Sequence, residues 1–172
     1  MGDNGGTMTA HASAPPNAAV LTLSDQGAAG LRTDTSGPAI LERLETLGIP
    51  VVEYLVQSDD PDGIVAQLRR WIDADISLIV TTGGTGFGPR DHTPEATRRV
   101  IERDAPGLAE LMRSEGLSKT PMAALSRGVC GIAGRTLIVN LPGSERAVRE
   151  NLDALAPVLS HALQLIGGDT EH

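Results

Sequence analysis

The chain has 172 residues, a formal net charge of −8 and 40% hydrophobic residues. That length suffices for one domain with a buried core, and the acidic balance argues against nucleic acid or an anionic membrane surface as partner. Tyr54, Phe87 and Trp71 are its only aromatic residues, too few for a base-stacking platform.

Residues 1–16 are rich in Gly, Ala, Ser, Thr and Pro without periodicity and read as a disordered tail. One domain is expected over residues 17–168, with a short tail at 169–172. Ala18 to Leu23 is an apolar run and reads as the first strand. A polar loop follows, and Pro38 to Leu47 then has helical spacing, with Gly48 as a stop signal. Val51 to Val56 reads as a second strand and Pro61 to Ile72 as a second amphipathic helix. Ile76 to Thr81 is a continuous apolar strand of the kind found inside parallel sheets. Thr93 to Arg103 is predicted as a third helix, and Gly107 to Ser114 as a short fourth. Pro121 to Arg127 reads as a turn or brief helix. Gly128 to Ile132 and Thr136 to Leu141 read as strands around Gly134. Glu145 to Ile166 reads as a long closing helix with an inner stripe from Val148 to Ile166. Strands alternating with helices predict an α/β domain with a mostly parallel sheet.

No apolar stretch is long enough to cross a bilayer, and no basic segment leads into an apolar one at the N-terminus. The single cysteine, Cys130, lies in the tight apolar segment Gly-Val-Cys-Gly-Ile and is expected to be a core residue rather than a nucleophile. A reducing cytoplasm fits this usage.

The chemistry concentrates in Val80 to Ala96. The apolar strand ends in a loop holding Gly83, Gly84, Thr85, Gly86 and Gly88. Thr93 as N-cap and Pro94 at the first helical position then start a helix. Glycines let backbone N–H groups approach a ligand, and a helix start favours negative charge; the spacing alone fits a structural turn equally well, and Asp91 with the Thr-Pro helix start favours an anion site. It is not a P-loop, because the Gly-Lys-Ser/Thr ending is missing. Pro89 and the spacing also exclude the dinucleotide fingerprint. Asp91 stands in the middle of the loop, where a phosphate would repel it unless a cation bridges the two.

Other strand ends should converge on the same sheet edge. Ser24, Asp25, Asp34 and Ser36 follow the first strand and can cap a helix or bind a ligand. Asp59 and Asp60 precede Pro61, where a capping role competes with a catalytic one. Two carboxylates meeting over a phosphate cradle would suit Mg²⁺, a hard cation that prefers oxygen. Pro142, Gly143 and Ser144 follow the last strand. His92 is expected to shape the loop beside Asp91, and His161 to be structural. No Cys/His cluster suggests zinc, and no nucleophile elbow supports acyl transfer.

Thr81-Thr-Gly-Gly-Thr-Gly86 followed by Pro89-Arg-Asp-His-Thr-Pro-Glu-Ala96 resembles the signature of the Mog/MoaB family of molybdenum-cofactor biosynthesis proteins, whose domain also occurs in gephyrin. Ser24-Asp25, Asp34 to Pro38, Leu125-Ser-Arg127 and Asn140 to Ser144 resemble its other signature segments, in the right order. The resemblance runs from about Ala18 to Ile166. It implies a three-layer α/β/α sandwich, a homotrimer, and adenylyl transfer from ATP with Mg²⁺ to molybdopterin, with release of pyrophosphate. The product would pass to a molybdenum-insertase. The family's two catalytic aspartates match Asp91 and Asp59, with Asp60 as fallback, and both would hold the metal. Its pterin-binding positions match Thr85 and Ser126, and its conserved segments add Ser24, Asp25, Ser36, Gly83, Gly84, Gly86, Asn140, Pro142, Gly143 and Ser144 as candidate substrate contacts. A further family serine falls near Gly116, where this chain has no hydroxyl, though Ser118 is close. Other classes remain open at this stage: a pterin-binding paralogue or scaffold module without strong transfer, and a hydrolase of the competence-damage-inducible type.

Overall fold

A strand that is apolar along its whole length must be covered on both faces, and this chain supplies helices for both. The computed structural model describes residues 14–168. The predicted tail falls mostly outside this range, as do residues 169–172. In chain order the elements are β1 (Ala18–Leu23), α1 (Asp25–Ala28), α2 (Ser36–Thr46), β2 (Val51–Gln57), α3 (Pro61–Asp73), β3 (Leu78–Thr82) and α4 (Thr93–Arg98). There follow β4 (Arg103–Asp104), α5 (Pro106–Leu117), a 3-10 turn (Pro121–Leu125), β5 (Cys130–Ala133), β6 (Thr136–Leu141) and α6 (Glu145–Gly167).

The strands form one sheet in the order β2-β1-β3-β6-β5-β4. The first four are parallel, while β5 pairs antiparallel with β6 and β4 antiparallel with β5 at one side. Successive side chains of each strand point to opposite faces. Val20, Val80 and Val139 therefore pack with Ile40 and Leu44 of α2, Met112 of α5 and Leu152 and Leu155 of α6. Leu21, Ile79 and Ile138 face Ile64, Leu68 and Trp71 of α3 and Ala96 of α4. The three-layer α/β/α sandwich is thus present. Cys130 is buried in the first of these cores, and burial pushes its thiol up to about 12, which removes it as a nucleophile.

The chain leaves β1 towards one side, forms β2, and crosses back over β1 to form β3. Strand order therefore reverses between β1 and β3. Because β2, β1, β3 and β6 are parallel, the loops after all four open on the same edge, at this switch point.

Most element ends shift by a few residues from the sequence-based expectation, and three differences have a clear cause. The third helix stops at Arg98 rather than Arg103, because Arg103 and Asp104 pair with Ile132 and Gly131 of β5. Sheet pairing takes this segment from the helix, and the Glu102 N–H, next to it, donates to the Ile132 carbonyl at 2.9 Å. Thr93 is the first residue of α4, not its cap, and His92 holds the cap position. The Thr93 hydroxyl donates instead to the Gly83 carbonyl at 2.9 Å, tying the helix start to the glycine loop. A short helix, α1, was not expected in the polar loop after β1. Ser24 caps it by accepting from the Gly27 N–H at 3.0 Å.

Candidate active site

Gly83 and Gly84 both adopt positive φ, +94° and +64°. This turns the chain sharply out of β3, and the Gly83 N–H donates to the Leu141 carbonyl at 3.2 Å. The glycine loop is thereby pinned to the end of β6. Gly88 then donates its N–H to Asp91 Oδ2 at 2.8 Å, and Asp91 returns its own N–H to the Gly88 carbonyl at 3.0 Å. This closed turn lays the Asp91 carboxylate over the loop: a methyl group on Gly86 or on Gly88 would stand 2.9 Å from Asp91 Oδ2. Glycine is needed here for close approach.

Asp59 and Asp60 have different neighbours. Asp60 is the N-cap of α3 and accepts from the Gly63 N–H at 2.7 Å. Asp59 is buried instead and turns toward the glycine loop. Its Oδ2 accepts from the Asp25 N–H at 3.2 Å, while the Asp59 N–H donates to Asp25 Oδ1 at 3.0 Å. Its Oδ1 is buried without a hydrogen-bond partner among the described residues. A methyl group on Gly84 would stand 3.0 Å from that oxygen. An unpartnered buried carboxylate oxygen is costly unless something binds it. Burial first, and then the carboxylates of Asp25 and Asp91, raise the Asp59 carboxyl above its ordinary range. Asp25 moves the opposite way, lowered by the Arg90 guanidinium, which donates to both its oxygens at 3.0 and 2.9 Å.

Two cavities flank this centre. The larger, about 490 Å³, runs from Gly84, Thr85, Gly86 and Asp91 past Ser126 to Ser144 and the first turns of α6. The smaller, about 130 Å³, lies beside Ser24, Asp34 and Ser36. Gly83 and Gly143 line the smaller one, and Gly83 Cα lies 3.4 Å from where a Gly143 methyl would sit. The sequence-predicted residues therefore separate into two groups. Asp91, Gly84, Thr85, Gly86 and Ser126 line the larger cavity, with Asp59 behind Gly84, whereas Ser24 and Ser36 border the smaller.

Several predicted residues are engaged structurally. Both amide donors of buried Asn140 go to Thr81 and Thr97, each at 3.0 Å, and its Oδ1 accepts from the Val129 N–H. The Pro142 carbonyl accepts from Thr82 Oγ1 at 2.7 Å. Ser144 caps α6 through the Ala147 N–H. Asp34 holds the start of α2: its Oδ1 accepts from the N–H groups of Ser36 and Gly37, and its Oδ2 takes Thr22 and Tyr54. His92 holds the cap position of α4 through its backbone alone, its carbonyl accepting from the Ala96 N–H in the first bond of the helix. His161 is exposed on α6. Ser118 does not replace the missing hydroxyl at Gly116, because its hydroxyl donates to the Glu115 carbonyl at 2.7 Å. A methyl group on Gly116 would stand 2.8 Å from Ala123 Cβ, so the small residue lets α5 meet the 3-10 turn.

Residues 19–161 match the family described as "Probable molybdopterin binding domain". The chain belongs to this family. It is 41% identical over 153 residues to the molybdopterin adenylyltransferase of Helicobacter pylori strain J99, covering 87% of each chain. It is 48% identical over 152 residues to the molybdenum cofactor synthesis protein cinnamon of Drosophila melanogaster, over 87% of this chain but 25% of that protein. The chain thus spans about a quarter of that relative's length. The crystal structure of the molybdopterin biosynthesis enzyme MoaB from Thermus thermophilus superposes with a TM-score of 0.85 at 54% identity, covering 88% of this chain and 96% of that one. No described helix is long and apolar enough to cross a membrane.

In this molybdopterin-binding domain the sequence reading missed two arginines. Arg90 lies inside the quoted signature, and Arg127 inside Leu125-Ser-Arg127. The signal available was their position next to Asp91 and Ser126, but only the folded chain shows that Arg90 meets Asp25 and that Arg127 meets the glycine loop. Among the described residues no three His, Cys, Asp or Glu side chains stand together as a complete metal cage. The free oxygen of Asp59 and the Asp91 carboxylate nevertheless fit a hard cation that takes its remaining ligands from phosphates and water.

The raised Asp59 carboxyl gives a signed prediction. A carboxyl whose folded pKa exceeds its unfolded value opposes folding when ionised, and the penalty vanishes as pH falls below the ordinary aspartate value of 3.8. Asp59→Asn is therefore expected to raise Tm of the unliganded protein at pH 7. Thermal melts from pH 7 down to 3.5 check this: the advantage must shrink on acidification, and a variant less stable at pH 7 refutes the strain assigned to Asp59.

Proposed function

We propose that the chain is a molybdopterin adenylyltransferase of molybdenum-cofactor biosynthesis. The terminal phosphate oxygen of molybdopterin attacks the α-phosphorus of ATP; the new O–P bond forms as the bond to the β-phosphate oxygen breaks, and pyrophosphate leaves. The observation that carries this reading is the pair formed by Asp59, with its unpartnered oxygen, and Asp91, laid over glycine amides at the mouth of a 490 Å³ cavity. The adenylyltransferase name of the Helicobacter pylori relative supports it. No protein nucleophile is required, because the substrate brings its own anionic oxygen. The chain's part is to align two phosphates and stabilise developing charge.

Asp59 and Asp91 would hold Mg²⁺, which when bound neutralises phosphate charge. Thr85 and Ser126 on the cavity wall would contact the pterin. From the family resemblance we further propose a cytoplasmic homotrimer that passes its product to a molybdenum-insertase. The deciding experiment follows pyrophosphate release from ATP and Mg²⁺ with and without molybdopterin. Release that requires molybdopterin supports the transferase. Molybdopterin binding without release refutes it and makes the chain a pterin-binding module, and release without molybdopterin points to a hydrolase.

A further inference from the structure

Arg127 follows Ser126 at the end of the 3-10 turn, far in sequence from the glycine loop, yet three separate bonds join it to that loop. Its N–H donates to the Thr85 carbonyl at 2.8 Å. Its Nε donates to the Gly86 carbonyl at 2.7 Å, and one terminal nitrogen to the Asp91 carbonyl at 2.8 Å. The other terminal nitrogen pairs with Glu95 on α4, which holds the Glu95 carboxyl below its ordinary range. One guanidinium thus spans the beginning of the loop, its end and the helix that follows.

We propose that Arg127 is a positioning residue that acts through Asp91: it fixes the Thr85–Asp91 loop so that the carboxylate meets the reacting phosphates, and it ties that placement to Ser126 on the cavity wall. This rests on the transferase reading. The loop has little else to hold its outer part. Its glycines carry no side chains, and beyond its own closing bonds the Gly88–Asp91 turn is tied on the outside by the exposed Arg90–Asp25 ion pair, which holds the Arg90 side chain rather than the loop's carbonyls. A planar fork of donors can reach two carbonyls and a carboxylate together; a lysine ammonium on a flexible stem cannot. Because Ser126 and Arg127 are adjacent, a pterin seated against Ser126 and Thr85 steadies the same peptides that set Asp91.

A double-mutant cycle with Arg127→Ala and Asp91→Asn tests the inference. Arg127→Ala alone is expected to lower kcat by about 10²-fold at nearly unchanged KM for both substrates. In the Asp91→Asn background the same substitution should change kcat by less than about threefold, since its route of action is gone. A full-sized loss in that background, or a raised KM with kcat intact, overturns the proposal. Hydrogen exchange gives a readout independent of turnover: the amides of Thr85–Asp91 should exchange about tenfold faster in Arg127→Ala while those of β3 stay protected. Unchanged loop exchange also overturns it. If Arg127→Ala does not fold, Arg127→Lys carries both measurements, keeping the charge and losing the fork. A wild-type chain that releases no pyrophosphate sinks the transferase reading, and loop exchange then decides the role of Arg127 alone.

Discussion

Asp91→Asn is expected to lower molybdopterin-dependent pyrophosphate release by about 10²- to 10³-fold, with molybdopterin binding held within a few-fold. Asparagine has nearly the same shape as aspartate and keeps an oxygen to accept the Gly88 N–H, so the closed Gly88–Asp91 turn survives. The neighbouring contacts over Gly86 and Gly88 are equally conserved by an isosteric side chain. What disappears is a full negative charge at the rim of the amide cradle. Under the proposed mechanism that charge would matter most when phosphate charge redistributes and a divalent cation would be held between two carboxylates, so the loss should fall on kcat. Single-turnover kinetics beside equilibrium binding of molybdopterin check the division. A variant that loses binding yet turns over bound substrate normally would remove Asp91 from the chemistry and make it a substrate contact.

The largest structural effect is expected at Gly83. Alanine there would carry a Cβ deep inside contact distance of the Leu23 backbone carbonyl, and φ of +94° is a conformation L side chains rarely adopt. Neither obstacle can be relieved by a side-chain rotation, because the obstructing atom belongs to the backbone of β1. Gly83→Ala should therefore destabilise the fold by about 3 kcal/mol or more, lowering Tm by roughly 6–12 °C. Gly134→Ala is the control. It has positive φ as well, +55°, but no atom within 4 Å of the added methyl. Strain alone predicts a loss of about 1 kcal/mol there. Denaturant melts of both variants separate the steric from the conformational share. Equal losses would mean that the approach of β1 to the glycine loop is looser than described.

Much of this protein is legible in local sequence. The apolar runs of β1, β3 and β6, the stripe along α6 and the stop at Gly48 depend on periodicity and turn chemistry within a few residues. The same holds for the glycine loop, whose residue types alone imply a backbone that can approach a phosphate. The site was legible to the extent that strand ends of a parallel sheet share one edge. Asp91 could thus be placed at that edge from its own loop, whereas Thr85 and Ser126 came as candidates only from the family resemblance.

What sequence left open depends on groups brought together by chain crossings. Asp59 and Asp60 are adjacent carboxylates before the same helix. Only the crossing from β2 over β1 determines that Asp60 caps α3 while Asp59 is buried against Asp25 and Gly84. The third helix ends early because β5 offers a partner strand to Arg103, an interaction invisible in a helical window. Thr93 carries a capping residue's chemistry but uses its hydroxyl across space, on Gly83. Arg127 lies 36 residues from Asp91, and Arg90 lies 65 from Asp25. Local propensity sets which segments are strands, helices and turns because it acts through near neighbours. Which carboxylate is free, which arginine clamps the loop and where the cavity opens are decided by packing, because those energies arise between residues that only the fold brings within 3 Å or so.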